Sequence, residues 1–201
     1  MTNTAETNDD ITALILDDHD TFRRGFAALD ELQSPDTDPE EPEARLCAVW
    51  GPLADLLDVH AVAEERIFYP VLLRKGDSDK SDEGDAVDET LDAIGDHNDI
   101  RDATRAAARH RPGSDAWWEA VNQARTENTE HMGEEEDEAL ADFRRNTTRA
   151  QRAELGRKFT EFKAAHTAAD LDTSGQDPER YVDEHLADTA ETALGGVAGG
   201  H

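Results

Sequence analysis

The chain has 201 residues, and its 48 acidic side chains outnumber its 20 basic ones, which gives a formal net charge of −28. Such dense carboxylates keep a protein surface hydrated in concentrated salt, so the composition is typical of a halophile. The charge argues against nucleic acid and anionic membrane as partners, because neither would meet a basic surface. The single cysteine, Cys47, excludes an intramolecular disulfide and suits a reducing compartment.

The distribution of apolar residues predicts a soluble cytoplasmic protein. No uninterrupted apolar run approaches the roughly 18 residues that a membrane-spanning helix needs. The polar start "MTNTAETNDD" lacks the basic and apolar regions of a signal peptide.

Apolar residues recur at helical spacing in the first half of the chain. A first helix is predicted to begin after Asp9 or Asp10 and to run for about 23 residues. The proline-rich stretch "SPDTDPEEP" then breaks the chain. A second, longer helix carries the apolar positions 46–72 and ends at "RKG".

Two further long helices are predicted after the charged loop "DSDKSDEGD". The third carries the apolar positions 87–100 and stops at "HRPG". The fourth starts from a Ser114 cap and runs to about Arg145. No stretch alternates with a period of two, so the fold class is all-α, an up-down-up-down four-helix bundle with additional C-terminal helices.

The C-terminal part is predicted to add two shorter helices. Thr148 and Gln151 have the spacing of a capping box at the start of a fifth helix. Residues 9–166 would then form the bundle with this short fifth helix. Residues 167–201 would form an extension with a helix at 178–194 and a flexible glycine-rich tail.

A repeated pattern links the four long helices. The segment "DHDTFR" at 18–23 matches "DHNDIR" at 96–101, and "HAVAEE" at 60–65 matches "HMGEEE" at 131–136. Helices one and two therefore correspond to helices three and four, as in a duplicated helical hairpin. The acidic run that follows His131 is accordingly more than surface charge, because Glu135 occupies the place of Glu64.

The histidines of these motifs are predicted to meet at one level. Each long helix contributes one of them, at a similar distance from the turns on either side: His19, His60, His97 and His131. In antiparallel helices with short connections, such positions come to the same height. The four histidines continue the apolar faces of their helices, and so do Glu64 and Glu135. Six polar side chains are thus expected in the middle of the bundle.

A buried layer of this kind requires compensation by cations. An unpaired buried carboxylate costs several kcal/mol or takes up a proton. Histidine and glutamate at i and i+4 project from one face, so the imidazole can bind one metal while the carboxylate bridges two. The predicted metal ligands are His19, His60, Glu64, His97, His131 and Glu135.

Charged neighbours of these residues have simpler expected roles. The remaining acidic residues of the run are expected on a solvated face: Glu134, Glu136, Asp137 and Glu138. Arg23 and Arg101 each follow a predicted ligand by one turn. We expect them to pair with a carboxylate beside the site or to be exposed, because a cation facing the metals is unfavourable.

Together these motifs resemble the hemerythrin family, in particular its bacterial and archaeal HHE cation-binding branch. The resemblance rests on the helix order, on the histidine and glutamate pattern and on "EERIFYP" after His60, and it covers about residues 9–165. It implies a non-haem di-iron site with terminal histidines, two bridging carboxylates and an oxo or hydroxo bridge. Iron also suits mixed nitrogen and oxygen ligands, with manganese or zinc as alternatives.

One position departs from the family pattern. Oxygen-carrying hemerythrins have a further histidine one turn after the third-helix ligand, and this chain has Arg101 there. At least one iron is therefore expected to have fewer protein ligands than in the carriers. Solvent, Glu134 or Glu136 would complete it, and reversible oxygen carriage does not follow from the resemblance.

Two classes of function fit these expectations. The first is a di-iron protein that binds O₂, peroxide or NO at an open iron position as a sensor, scavenger or store. The second is a di-iron enzyme with peroxidase or oxygen-activating chemistry, supplied with electrons by a separate reductase. A ferritin-like iron oxidase is disfavoured, because its Glu-x-x-His motif is absent from the sequence.

Overall fold

A computed structural model describes residues 9–33, 42–76 and 85–195, and every regular element in these ranges is helical. The all-α prediction is therefore confirmed for the described part of the chain. The predicted breaks at "SPDTDPEEP" and "DSDKSDEGD" lie almost entirely outside the described residues. The predicted glycine-rich tail, from residue 196 onward, lies outside them as well.

Four long helical segments are followed by two shorter ones. Helix α1 spans Ile11–Gln33, α2 spans Pro42–Ala63, α3 spans Tyr69–Lys75 and α4 spans Ala86–Ala108. Helix α5 spans Asp115–Glu134, α6 spans Leu140–Asn146, α7 spans Arg149–Ala165 and α8 spans Pro178–Gly195. A short 3₁₀ turn, Ala168–Asp170, lies between α7 and α8.

Polar side chains fix the starts of the helices. The Asp85 carboxylate accepts two backbone N–H groups at the first turn of α4, and the Ser114 hydroxyl accepts one at the start of α5. The predicted capping box of α7 is confirmed, because the Thr148 and Gln151 side chains bond reciprocally to each other's backbone N–H. These contacts satisfy N–H groups that the first turn of a helix leaves without partners.

Two π turns, which the sequence did not predict, interrupt the long helices. Residues Glu64–Phe68 join α2 to α3, and residues Glu135–Ala139 join α5 to α6. A π turn adds one residue to a helical turn and is frequent at functional sites. Both turns begin at a glutamate of the repeat. The regular helical period of the sequence does not show such an insertion, because the apolar pattern continues in the helix after each π turn.

The buried apolar residues form two clusters on either side of the histidine level. One cluster, here called the Phe68 cluster, includes Ile15, Phe68, Ile94, Leu140 and Phe143. The other, here called the Trp117 cluster, includes Phe22, Leu57, Ile100, Trp117 and Val121. Along α1 and α4 the chain passes from the Phe68 cluster to the Trp117 cluster. Along α2–α3 and α5–α6 it passes in the opposite direction.

The long helix Pro42–Lys75 has the length and composition of a membrane-crossing segment, although no uninterrupted apolar run in it approaches the length of a membrane span. Half of its most apolar stretch is buried inside the protein. It packs against α1, α4 and α7, so its apolar residues serve as core.

The two C-terminal helices pack on different sides of the bundle. Helix α7 lies against α1 and α2, whereas α8 lies against α3 and α4. A close backbone approach fixes α7, because a Cβ atom at Gly156 would lie 1.7 Å from the carbonyl oxygen of Asp9. Both helices therefore cover, from outside, helices that contribute side chains to the histidine level.

Candidate metal centre

The structure brings all six predicted ligands together in one buried layer. They form two overlapping groups: His19, His60, Glu64 and Glu135, and then Glu64, His97 and His131. Within each group the candidate ligand atoms lie within 4.8 Å of one another. Because Glu64 belongs to both groups, the layer offers two adjacent places for a cation.

Glu64 connects the two groups through its two carboxylate oxygens. Its Oε1 lies 2.9 Å from Nε2 of His60, and its Oε2 lies 3.4 Å from Nε2 of His97. The side chain is fully buried. This is the arrangement expected of a bridging carboxylate, with one oxygen directed at each cation.

Glu135 serves only the first group in this arrangement. Its Oε2 lies 3.2 Å from Nε2 of His19, and its Oε1 accepts a hydrogen bond of 2.9 Å from the hydroxyl of Tyr69. Tyr69 is fully buried and was not singled out in the sequence, where it reads as one more apolar position of "EERIFYP". The second group therefore has three protein ligands against four in the first.

Every imidazole of the layer has a carboxylate at its other ring nitrogen. The Nδ1–carboxylate distances are 2.8 Å for His19 with Glu136, 2.9 Å for His60 with Asp18, 2.9 Å for His97 with Glu65 and 3.4 Å for His131 with Asp96. In each pair the carboxylate comes from a different helical segment than the histidine. Such pairs fix the ring orientation and leave Nε2 free to bind a metal.

The supporting carboxylates are the unassigned residues of the repeat. Asp18 and Asp96 precede the histidines of α1 and α4, while Glu65 and Glu136 follow the glutamates of the two π turns. The repeat contained this signal, because each matching segment includes the extra acid. The expectation that Glu136 is a solvated surface residue is wrong. Its side chain is only 26% exposed and pairs with His19, since the π turn directs it inward.

The two arginines of the repeat confirm the expected pairing with carboxylates. Arg101 Nη2 lies 2.6 Å from Glu65 Oε1, and Arg23 Nη2 lies 2.8 Å from Glu136 Oε1. Arg101 is buried, whereas Arg23 is 47% exposed. Each guanidinium thus stabilises a carboxylate that orients a histidine.

The charges around His60 and His97 favour the protonated form of these two imidazoles in the absence of metal. Burial by itself would lower the pKa of His60, but the Glu64 carboxylate and the bond to Asp18 raise it to about 10. The pKa of His97 is also raised: burial opposes this, and bonds to Glu64 and Glu65 outweigh it. A bound metal would take the place of these protons, so loading is expected to release them.

Several buried polar atoms of the layer face one another at ion-pair distances of 2.9, 3.2 and 3.4 Å and have no hydrogen-bond partner outside the layer. Among the described residues they include Nε2 of His19, Nε2 of His60, both oxygens of Glu64 and Oε2 of Glu135. All five are directed at the two places where a cation would be held. The mixed nitrogen and oxygen donors suit iron, manganese or zinc, so the residues fit a metal centre.

A cavity leads from the surface to the layer, where it reaches His131 of the second group and Glu135 of the first. Its volume is about 80 Å³, and Tyr69 lines it beside these two residues. The outer wall carries the carboxylates of Asp88, Glu89, Asp92, Asp96, Glu134 and Glu138. Since a water molecule occupies about 30 Å³ in the liquid, a diatomic molecule or peroxide fits this space.

A family model described as the hemerythrin HHE cation binding domain matches residues 10–143. The chain belongs to the hemerythrin HHE family. The HHE match contains all six candidate ligands and both π turns, whereas α7 and α8 lie beyond it. Comparison with curated proteins and with solved structures gave no match.

Membership in the HHE family implies cation binding, typically of iron. The histidine and glutamate groups are the part of the described chain that could hold such a cation. Family membership and geometry therefore point to the same residues.

Proposed function

We propose that the chain holds two iron ions and that Glu64 bridges them. The first ion would be bound by His19, His60, Glu64 and Glu135, and the second by Glu64, His97 and His131. The observation that carries this proposal is the shared carboxylate of Glu64, directed at His60 with one oxygen and at His97 with the other. Carboxylates at every Nδ1 support it, because they leave each Nε2 available to a metal.

The proposed scaffold is an up-down-up-down bundle of α1, α2–α3, α4 and α5–α6. The alternating order of the Phe68 and Trp117 clusters along successive helices supports this topology. Antiparallel neighbours place the middle of each helix at the same height, and this is where the ligands lie.

The second ion is the proposed site of ligand binding. It would have three protein ligands, and the cavity ends beside it at His131. Bound iron supplies a redox-active Lewis acid with an open position, suited to O₂, peroxide or NO. Glu136 is directed at His19 instead, so solvent or Glu134 is left to complete this ion. The protein would then act as a sensor, scavenger or store.

A peroxidase or oxygen-activating enzyme is the second candidate, and the position of Tyr69 favours it. The Tyr69 hydroxyl lines the cavity and donates to Glu135, so a phenolic proton donor lies next to the open position. Catalysis would need electrons from a separate reductase.

The proposed setting is a soluble protein in a salt-rich cytoplasm. The net charge of −28 supports this and disfavours nucleic acid and anionic membranes as partners. The partners proposed instead are a small diatomic ligand or peroxide and, for the enzyme, a reductase.

Metal analysis of anaerobically purified protein tests the dinuclear centre. We expect two iron ions per chain and a visible spectrum that changes on exposure to O₂, peroxide or NO. His97→Ala should lose the second ion, whereas His110→Ala, an exposed histidine after the end of α4, should keep both. Recovery of one zinc ion and no iron from cells supplied with both metals would contradict the proposal.

Turnover separates the two candidate functions. The loaded protein is given peroxide and a chemical electron donor, and consumption of the donor is followed. Stoichiometric binding without turnover supports the sensor, scavenger or store. Sustained turnover that Tyr69→Phe reduces without loss of iron supports the enzyme.

A further inference from the structure

The segment before α8 is bound directly to the surroundings of the second cation group. Residues 172–177 have no helical or strand structure of their own. They lie along α4, where the backbone of Gln176 exchanges two hydrogen bonds with the Asn98 side chain, at 2.7 and 2.9 Å. Asn98 directly follows the candidate ligand His97. The Arg105 guanidinium also donates to the carbonyl of Thr173.

The same segment and the first turn of α8 contact Glu65, the carboxylate that orients His97. Gln176 Nε2 donates to Glu65 Oε2, and the buried hydroxyl of Tyr181, in α8, donates to the Glu65 carbonyl. The other carboxylate oxygen, Oε1, accepts from Arg101 and from Nδ1 of His97. Both oxygens of Glu65 are thus held in place, one by the HHE bundle and one by the C-terminal extension.

The equivalent carboxylate in the other half of the repeat provides a contrast. Glu136 orients His19 as Glu65 orients His97, and its described hydrogen bonds both come from α1, from His19 and Arg23. Its side chain is 26% exposed, whereas that of Glu65 is 3% exposed. The contacts from the C-terminal extension therefore single out one of two otherwise matching positions.

We propose that Gln176 and Tyr181 are positioning residues for the second cation, acting through Glu65 on His97. Docking of residues 172–181 onto the bundle and binding of the second cation would then be cooperative, each strengthening the other. This inference rests on the proposed dinuclear centre and adds a role for a part of the chain beyond the HHE match. Residues that orient a metal-bound histidine typically change metal affinity by about 10- to 100-fold when they are replaced.

Coupling of this kind is reciprocal. If the docked segment strengthens binding of the second cation by some factor, that cation must stabilise the docked segment by the same factor. Opening of the segment exposes the Gln176 backbone N–H, which donates to Asn98 when the segment is docked. Hydrogen exchange at this amide therefore reports the coupling in the unaltered protein.

The first test is anaerobic titration of the metal-free, full-length chain with Fe²⁺. The unaltered protein should bind two equivalents in separable steps. Gln176→Ala and Gln176→Glu should weaken the second step about tenfold or more and leave the first unchanged. Gln176→Glu retains the shape of the side chain but replaces the donor with a like charge facing Glu65, so it breaks this contact without removing the packing. Ser174→Ala, an exposed position in the same segment, is the matched control and should change neither step.

The second test is hydrogen exchange of the unaltered protein, which requires no variant to fold. Exchange at the Gln176 amide should slow about tenfold when the second equivalent of Fe²⁺ is added, and not with the first. Binding of fewer than two equivalents by the unaltered protein would reject the dinuclear centre itself. Two normal steps in the Gln176 variants, equal weakening of both steps, or unchanged exchange at Gln176 would each overturn the positioning role alone.

Discussion

Each histidine of the centre works as a pair with a carboxylate. In His19, His60 and His97 the ring nitrogen that faces outward donates to that carboxylate. In His131 it lies 3.4 Å from the Asp96 carboxylate, and in all four rings the other nitrogen faces the candidate cation positions. Of the four carboxylates, three have a cation behind them: Arg23 at Glu136, Arg101 at Glu65 and Lys163 at Asp18. These outer charges offset the negative charge of the carboxylates without approaching the metals. The site is therefore built in layers of alternating charge.

Glu135 and its neighbours in the acidic run should differ sharply in their effect on metal binding. Glu135→Gln retains an oxygen to accept from Tyr69 but removes the charge directed at His19, so it should lose much of the bound iron. Asp137→Asn, an exposed position within the same run, should retain it. Iron content of both purified variants checks this. Equal losses would mean that the run attracts cations only as diffuse charge.

Glu89, in the wall of the cavity, should make stability depend on pH. Burial, together with the Asp142 and Glu138 carboxylates, raises the pKa of Glu89 from 4.5 to about 7. The folded protein therefore binds an extra proton between these values, and its stability falls as the pH rises from about 4.5 to about 7. Glu89→Gln removes this penalty. Because the side chain is only partly buried and solvent in the cavity screens its charge, we expect a gain of only about 1 kcal/mol above pH 7.

Urea unfolding of the metal-free protein at constant high salt measures this effect. The Glu89→Gln variant and the parent should have nearly equal stability at about pH 4.5 and differ at about pH 8. Glu119→Gln, at an exposed position of α5, is the control and should show no difference at either pH. A Glu89→Gln variant that tracked the parent at both values would refute the raised pKa.

Among the elements, the two π turns shape both cation groups, and α7 supports the first. Each π turn begins at a candidate ligand glutamate and lets the next glutamate orient a histidine on another helix, His97 in the second group and His19 in the first. Helix α7 supports the first group from outside. Its Phe159 ring packs edge-on against the His60 ring at 6.0 Å, and its Lys163 pairs with Asp18. The close approach at Gly156 holds α7 in this position.

A methyl group at Gly156 should therefore separate α7 from α1. Gly156→Ala places Cβ 1.7 Å from a backbone oxygen that cannot rotate away, so we expect a loss of about 2 kcal/mol in unfolding free energy. Gly51→Ala is the matched control, because nothing lies within 4 Å of its added Cβ in the interior of α2. It should gain about 1 kcal/mol from helix propensity. Urea unfolding of the two variants compares them directly, and similar stabilities would contradict the packing argument.

At the scale of the whole molecule, the surface and the centre respond to different variables. The 48 acidic residues repel one another more strongly as salt is removed, because the screening length grows from about 3 Å at 1 M to about 10 Å at 0.1 M. The buried centre is shielded from the bulk salt. Bound metal stabilises the folded chain by mass action and neutralises Glu64 and Glu135 at any ionic strength.

Metal-loaded protein should therefore keep its helical signal at salt concentrations where the metal-free form loses it. His60→Ala should abolish the difference, because it removes a ligand of the first ion. Thermal melts followed by circular dichroism across a salt series provide the measurement. Parallel curves with no metal-dependent gap would show that the buried layer does not bind metal.

Local signals in the sequence predict the helices and the ligand candidates. Apolar spacing and capping residues place α1, α5 and α7 within a residue or two of the observed starts, because these signals act over a single helical turn. The duplicated motifs with His19 and His97, and with His60 and His131, showed which polar residues break the apolar faces. Equal distances from the turns then predicted that they meet, which requires only the rise of a helix.

The packing of the helices sets which carboxylates orient the histidines and which cation group has fewer candidate ligands. The π turns bring Glu65 and Glu136 inward, and a helical period cannot show an inserted residue. Two partners of Glu65, Arg101 and Gln176, lie 36 and 111 residues away along the chain, so no local pattern relates them to it. The bond from Tyr69 holds Glu135 toward His19 and leaves the second group with fewer ligands. Such choices depend on the packing of distant helices, which sequence spacing does not encode.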